Sequence, residues 1–159
     1  MKKIIFIIIF SVAIYGCGYT PIYSVKNNNT NFMIESVGFK SGDSVLNNYL
    51  RIYLRRYSLV DREVKLFVSV ETDYQKLTIL KNIKGEATEY KLIADAKFSI
   101  SHNDLIVKEF SITETLIIEN NDNKFEESSY ERTVKQTFAN SISEKLIMRL
   151  ADIKIINDK

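Results

Sequence analysis

Residues 64–119, VKLFVSVETDYQKLTILKNIKGEATEYKLIADAKFSISHNDLIVKEFSITETLIIE, decide the fold. Val64, Leu66, Val68 and Val70 alternate with Lys65, Ser69 and Glu71, the period-two pattern of a strand buried on one face. The phase changes between Tyr74 and Leu77, which predicts a bulge or a bend at that point. Residues 82–85 (NIKG) carry turn chemistry. Tyr90, Leu92, Ala94, Ala96, Phe98 and Ile100 then alternate with Glu89, Lys91, Asp95 and Lys97. Residues 101–104 (SHND) form a second tight turn, and residues 105–119 return as a third long strand. Three successive strands with short connections predict an antiparallel meander whose polar face can stay in water.

Outward from the meander the period becomes helical. On the N-terminal side, residues 32–39 (FMIESVGF) are short, apolar and β-prone, a first strand. Residues 41–44 (SGDS) follow as a turn ending in Ser44 as helix N-cap. Leu46, Tyr49, Leu50, Tyr53, Leu54 and Tyr57 fall on one helical face, with Asn47, Asn48, Arg51 and Arg55 off it. Ile52 is apolar on the polar side. On the C-terminal side, residues 120–124 (NNDNK) are a loop, and Glu126 and Glu127 put negative charge at a helix start, as the dipole prefers. Val134, Phe138, Ile142, Leu146, Leu150 and Ile153 mark the buried face of a long terminal helix. The predicted order is β-α-β-β-β-α. It implies an α+β two-layer sandwich over residues 32–155, a four-stranded, mainly antiparallel sheet packed against two helices.

The beginning of the chain has a different character. Residues 1–23 read MKKIIFIIIFSVAIYGCGYTPIY, with Lys2 and Lys3 ahead of an apolar run from Ile4 to Ile14 interrupted only by Ser11. A membrane-spanning helix needs ~20 apolar residues. This run is shorter, so residues 1–16 read as a secretory signal peptide. Ile14-Tyr15-Gly16-Cys17 resembles the bacterial lipobox, with Tyr15 where a small residue is usual. That resemblance implies cleavage before Cys17 and acylation of the cysteine, the only one in the chain. Gly18 stands where an aspartate would, by resemblance to sorting signals, favour the inner membrane. The expected address is therefore the periplasmic side of the outer membrane. Residues 17–31, rich in asparagine, read as the lipidated N-terminus and a tether.

The chain carries 22 basic and 20 acidic residues, and Lys2 and Lys3 leave with the leader. The remaining balance is neutral, which disfavours nucleic acid as a partner. A lipidated Cys17 leaves no thiol for a disulfide, a redox couple or a metal.

Catalytic chemistry finds little support. His102 is the only histidine and sits in a turn, so a triad or zinc site lacks partners. Glu126 and Glu127 are adjacent and are accounted for by the helix start. Gly42 and Gly85 are isolated, so no phosphate loop is present. The expectation is no enzyme, no metal and no cofactor beyond the covalent lipid. Two groups are candidates for binding. Tyr19 and Tyr23 flank Pro21 beside the lipid site, where amphipathic rings suit a membrane interface or a partner's groove. Lys76, Lys81 and Lys84, with Lys91 just beyond, cluster near the first hairpin tip, where ammonium groups can meet the phosphates of an anionic lipid.

Cys17-Gly18-Tyr19-Thr20-Pro21-Ile22-Tyr23 resembles the CGF-x-PLY start of the lipopolysaccharide-assembly lipoproteins of the LptE family, with Tyr19 and Ile22 in place of Phe and Leu. The order of elements and the terminal helix extend the likeness over most of the mature chain. The resemblance implies a lipoprotein that plugs the outer-membrane β-barrel LptD, helps assemble it, and assists lipopolysaccharide transport and insertion without covalent chemistry. It implies lipopolysaccharide contacts by basic residues, for which Lys76, Lys81, Lys84 and Lys91 are the candidates. It also implies barrel contacts, for which Tyr19, Pro21, Tyr23, Arg51 and Arg55 are the candidates. A barrel interior is polar, and a polar sheet face would match it. The other reading is an auxiliary lipoprotein of an ABC-type lipid transporter. A soluble carrier with an apolar cavity fits less well, because the alternating strands leave one face polar.

Overall fold

The computed structural model describes residues 31–59, 61–121 and 123–153. Residues 1–30, which include the expected signal peptide and tether and Cys17, Tyr19, Pro21 and Tyr23, lie outside the described residues. The elements are β1 (Phe32–Ser41), α1 (Ser44–Arg55), β2 (Val64–Lys81), β3 (Ala87–His102), β4 (Leu105–Glu119) and α2 (Lys124–Ala151). They form an α+β sandwich in the predicted order, with a four-stranded sheet arranged β1-β2-β3-β4.

Pairing is antiparallel through β2, β3 and β4, as the two tight turns require. The β1–β2 pair is parallel, with Phe32 opposite Val64 and Phe39 opposite Val70. Parallel neighbours need a long crossover, and α1 supplies it. The turn at Asn103 and Asp104 has positive φ at both residues, 50° and 63°. Asn and Asp tolerate that region better than other residues with side chains, and a two-residue hairpin of this kind matches the twist of its strands.

One face of the sheet is buried. Leu66, Val68 and Val70 of β2 and Leu92, Ala94, Ala96, Phe98 and Ile100 of β3 meet Leu46, Leu50 and Leu54 of α1 and Val134, Phe138, Ile142, Leu146 and Leu150 of α2. Each such Val, Leu, Ile or Phe side chain contributes about 1.5–3 kcal/mol relative to exposure. Both predicted helical stripes thus face the same core. Tyr49, Tyr53 and Tyr57 are half-buried against it, and Ile52 is exposed, as its place on the polar side foretold.

Three local expectations are corrected. The α1 N-cap is Asp43, whose carboxylate accepts from the Leu46 N–H at 2.8 Å; Ser44 is the first helical residue. The strand is not bulged between Tyr74 and Leu77. Its register shifts at Thr78/Leu80 and Leu80/Lys81 instead, and alternation runs on through Tyr74 and Lys76. The broken phase reflects a lysine at an inward position rather than a backbone defect. His102 is the last residue of β3 rather than part of the turn, and its half-buried ring has Nδ1 2.8 Å from the Lys65 carbonyl, pinning the β3–β4 turn to the start of β2.

Candidate functional site

The β2–β3 hairpin is the most exposed part of the sheet. Every residue from Leu77 to Glu86 is exposed, although β2 and β3 stay paired as far as Lys81 and Ala87. The hairpin closes through Asn82, whose side-chain oxygen accepts from the N–H groups of Lys84 and Glu86 at 2.9 and 3.0 Å. Gly85 there has φ +83°. Local hydrogen bonds therefore hold the tip, without help from a packed core.

The tip is amphiphilic. Leu77, Ile79, Leu80 and Ile83 are exposed alongside Lys81 and Lys84. On the open face of the sheet, Leu77, Lys91 and Ile117 are directly paired neighbours on β2, β3 and β4, so an ammonium group lies between two aliphatic side chains. A surface of that composition can bind a molecule with both acyl chains and phosphate, because each part meets its match. One flank differs. The groove lined by Leu80, Glu86, Glu89, Glu119 and Lys124 is mainly acidic and repels phosphate.

The four candidate lysines are not together. Lys81 and Lys84 lie on the exposed tip and the half-buried Lys91 on the open face beside Leu77, while Lys76 points to the opposite face of the sheet from Lys91. There it pairs with Glu127 and, at 3.3 Å, with Glu131, both on α2. Its ammonium also lies 4.4 Å from the centre of the Tyr90 ring.

Lys76 belongs to a network that the spacing alone did not reveal. Glu127 also takes Lys124 at 2.7 Å, and Lys135 joins Asp43 at 2.8 Å and Glu131 at 3.6 Å. Lys135 stands 4.0 Å over the Tyr74 ring. The network ties the start of α1, the middle of β2 and the first half of α2 together. Hydrogen bonds from Lys124 and Lys76 hold the Glu127 carboxyl below its usual range. Burial works to lower the Lys76 ammonium, but Glu127 and Glu131 outweigh it and raise it. At Asp43 burial acts upward, and the Lys135 and Leu46 hydrogen bonds prevail, leaving the group lowered. Burial, then the Glu131 carboxylate, pushes the Tyr74 phenol well above its ordinary value. The sequence signal was present: Glu127, Glu131 and Lys135 are spaced four apart on one helix face, opposite an inward lysine.

The candidate barrel contacts Arg51 and Arg55 are exposed on α1, and the Arg51 guanidinium lies 5.0 Å from the centre of the Phe39 ring. The central open face is polar, with Ser69 opposite Ser99 and Glu71 opposite Lys97. Thr113 donates to Asp95 at 2.6 Å on the same face. Among the described residues no cluster of three or more His, Asp or Glu could hold a metal ion. No helix among them is long and apolar enough to cross a membrane.

No protein-family model and no curated protein matches this sequence. Solved structures do match. Rare lipoprotein B from Shewanella oneidensis is 15% identical with a TM-score of 0.52, covering 71% of this chain and 94% of its own. The minor lipoprotein from Acinetobacter baumannii is 16% identical with a TM-score of 0.50, covering 76% and 94%. A chain from Caulobacter crescentus CB15 is 14% identical with a TM-score of 0.53, covering 80% and 92%. At these identities the likeness is one of fold.

Proposed function

We propose that this chain is an outer-membrane lipoprotein of the LptE type. It is anchored on the periplasmic side through Cys17, plugs and helps assemble an LptD-type β-barrel, and assists lipopolysaccharide transport. It acts by contact rather than catalysis. The observation that carries the reading is the β2–β3 hairpin, which places Lys81, Lys84 and Lys91 beside exposed Leu77, Ile79 and Ile83. That combination fits a phosphorylated, acylated glycolipid. Three further features support the reading: the lipobox-like start, the fold shared with two proteins named as lipoproteins, and a polar open face suited to a barrel lumen.

The first experiment is a mild-detergent pull-down of the C-terminally tagged protein from outer membranes, with partners identified by mass spectrometry. An LptD-like barrel is expected in equal amount. Recovery of ATPase transporter subunits without a barrel would overturn the plug in favour of an auxiliary transporter lipoprotein.

The hairpin has its own test. Exchanging Lys81, Lys84 and Lys91 together for Gln should weaken lipopolysaccharide binding roughly tenfold, since each exposed charge contributes up to ~1 kcal/mol and 1.4 kcal/mol is tenfold. The loss should shrink at high salt as screening takes over. The thermal midpoint should stay put, because none of the three lysines fills the core. Titration of the wild type and the triple variant with lipopolysaccharide, at two salt concentrations, reads both effects. Equal affinities would remove the hairpin from the site.

A further inference from the structure

The two ends of the sheet are unlike, and the chain enters at one of them. Phe32, where β1 begins, is paired with Val64, where β2 begins. The β3–β4 turn lies at the same end, since His102 contacts the Lys65 carbonyl and Ser101 is paired with both Phe67 and Ile106. Strands lie ~4.8 Å apart, so the start of β4 is three spacings, about 15 Å, from β1. The β2–β3 hairpin is at the far end of the 18-residue strand β2, about 55 Å away at ~3.3 Å per residue.

The near end carries exposed apolar side chains of its own. Leu105 is 71% exposed, Ile106 65% and Leu59 70%, and Val107 is exposed beside them. Single exposed aliphatic residues are ordinary, but here three in succession open β4, and Leu59 sits in the α1–β2 connection at the same end. Cys17 precedes β1 by 15 residues, which can span at most about 50 Å. A lipid on that cysteine would keep this end of the domain, rather than the hairpin end, the nearer one to the bilayer.

We propose that the Leu105-Ile106-Val107 edge, with Leu59, is the surface on which the folded domain rests on the lipid bilayer. The proposal depends on the reading of Cys17 as a lipid attachment site. Asn103 and Asp104, the exposed turn that joins β3 to β4, put polar groups next to this edge and keep the contact at headgroup depth. Charge at this end is mixed, with Arg62, Lys65 and Lys108 against Asp61, Glu63 and Asp104. The contact is therefore apolar in origin. It is indifferent to salt and forms as readily on neutral as on anionic lipid.

The chain contains no tryptophan, so a single one reports its own position. Ile106→Trp and, at the opposite tip, Ile83→Trp are each placed in two preparations. One is the lipoprotein purified from membranes. The other is the chain from Cys17 onward, coupled through Cys17, its only thiol, to a maleimide lipid. Both are reconstituted into phosphatidylcholine vesicles with brominated acyl chains. Both positions are exposed, and unchanged thermal midpoints confirm that the fold tolerates the exchange. Emission from residue 106 should be blue-shifted and quenched at least twofold, equally at low and high salt, and residue 83, on the lipopolysaccharide-binding hairpin at the far end, should be quenched less. No quenching at 106, or stronger quenching at 83, overturns the proposal. Intact mass of the membrane-derived protein tests the anchor separately. If it lacks lipid, the anchoring reading falls, and the coupled preparation alone decides whether this edge meets the bilayer.

Discussion

Gly42→Ala is expected to destabilise the domain by about 4 kcal/mol, combining a strained backbone with an overfilled contact. Gly42 has φ +116°, in the left-handed region that costs residues with a Cβ about 1–2 kcal/mol. A Cβ at this position would also overlap the carbonyl oxygen and Oγ1 of Thr72. Neither can yield easily. Thr72 is in the middle of β2, paired with Ala96, and its hydroxyl donates to Asn47 Oδ1 at 2.7 Å, while Asn47 in turn donates to the Ser41 carbonyl at 3.3 Å. Relief requires β2 and the start of α1 to separate, at the typical overpacking cost of ~1–3 kcal/mol or more. Gly85→Ala is the control. Its φ is +83°, but a Cβ there meets open space, so only the conformational cost of about 1 kcal/mol applies. Urea unfolding of the two variants should separate them by several-fold in ΔΔG. Equal losses would show that the Thr72 contact carries no weight.

The contrast between these glycines marks what a sequence reveals about such a chain. Alternation in β2 and β3 and the two helical stripes were legible, because burial of one face imposes its period on the residues. Both hairpin turns were legible for the same reason, since Gly85 and the pair Asn103–Asp104 answer a local backbone demand. Gly42 could be seen only as isolated. Its demand comes from Thr72, thirty residues later, and nothing near it in the chain records that contact. The choice of Asp43 over Ser44 as N-cap is of the same kind, because Lys135 from α2 secures the carboxylate from outside the turn. Non-local partners decide between local equivalents.

The candidate site divides along that line too. Lys76, Lys81, Lys84 and Lys91 look alike as a charge cluster, and their separation is produced by the sheet. Alternation sends Lys76 to the helix layer and Lys91 to the open face, while Lys81 and Lys84 run past the end of the packed core. The hairpin's exposed leucine and isoleucines were visible between the lysines all along. Their significance appears only once the helices are seen to leave them uncovered. The surfaces proposed for lipid thus lie at opposite ends of the sheet, the polar open face between them. The ~55 Å length of β2 exceeds the ~25 Å apolar band of an outer-membrane barrel, so under the proposed function the hairpin could stand beyond the band from the end at which the chain enters.

Lys76→Met should separate structure from lipid contact. Removing one partner of a fully buried ion pair costs ~3–5 kcal/mol. Here the Lys76 side chain is 25% exposed and Glu127 keeps Lys124, so the expected loss is nearer about 2 kcal/mol. The pH dependence should carry the signature. Glu127 and Asp43 are held below their ordinary values, so their contribution is complete above the unfolded carboxyl range near pH 4 and fades as pH falls through the lower folded values. Lys76 and Tyr74 are raised. Their contribution is complete below their unfolded values near pH 10 and is lost as pH climbs through the higher folded ones. In Lys76→Met the alkaline loss should shrink to the part owed to Tyr74 and the other raised ammonium, Lys124. The acid loss should persist in reduced form, because Asp43 keeps Lys135. Urea unfolding across pH reads both limbs. Lipopolysaccharide affinity of Lys76→Met, measured where the variant is fully folded, should equal that of the wild type. The hairpin triple variant should show the converse, full stability with weakened binding. A Lys76→Met protein that kept its stability and lost its affinity would return this lysine to the binding surface and leave the network without a structural role.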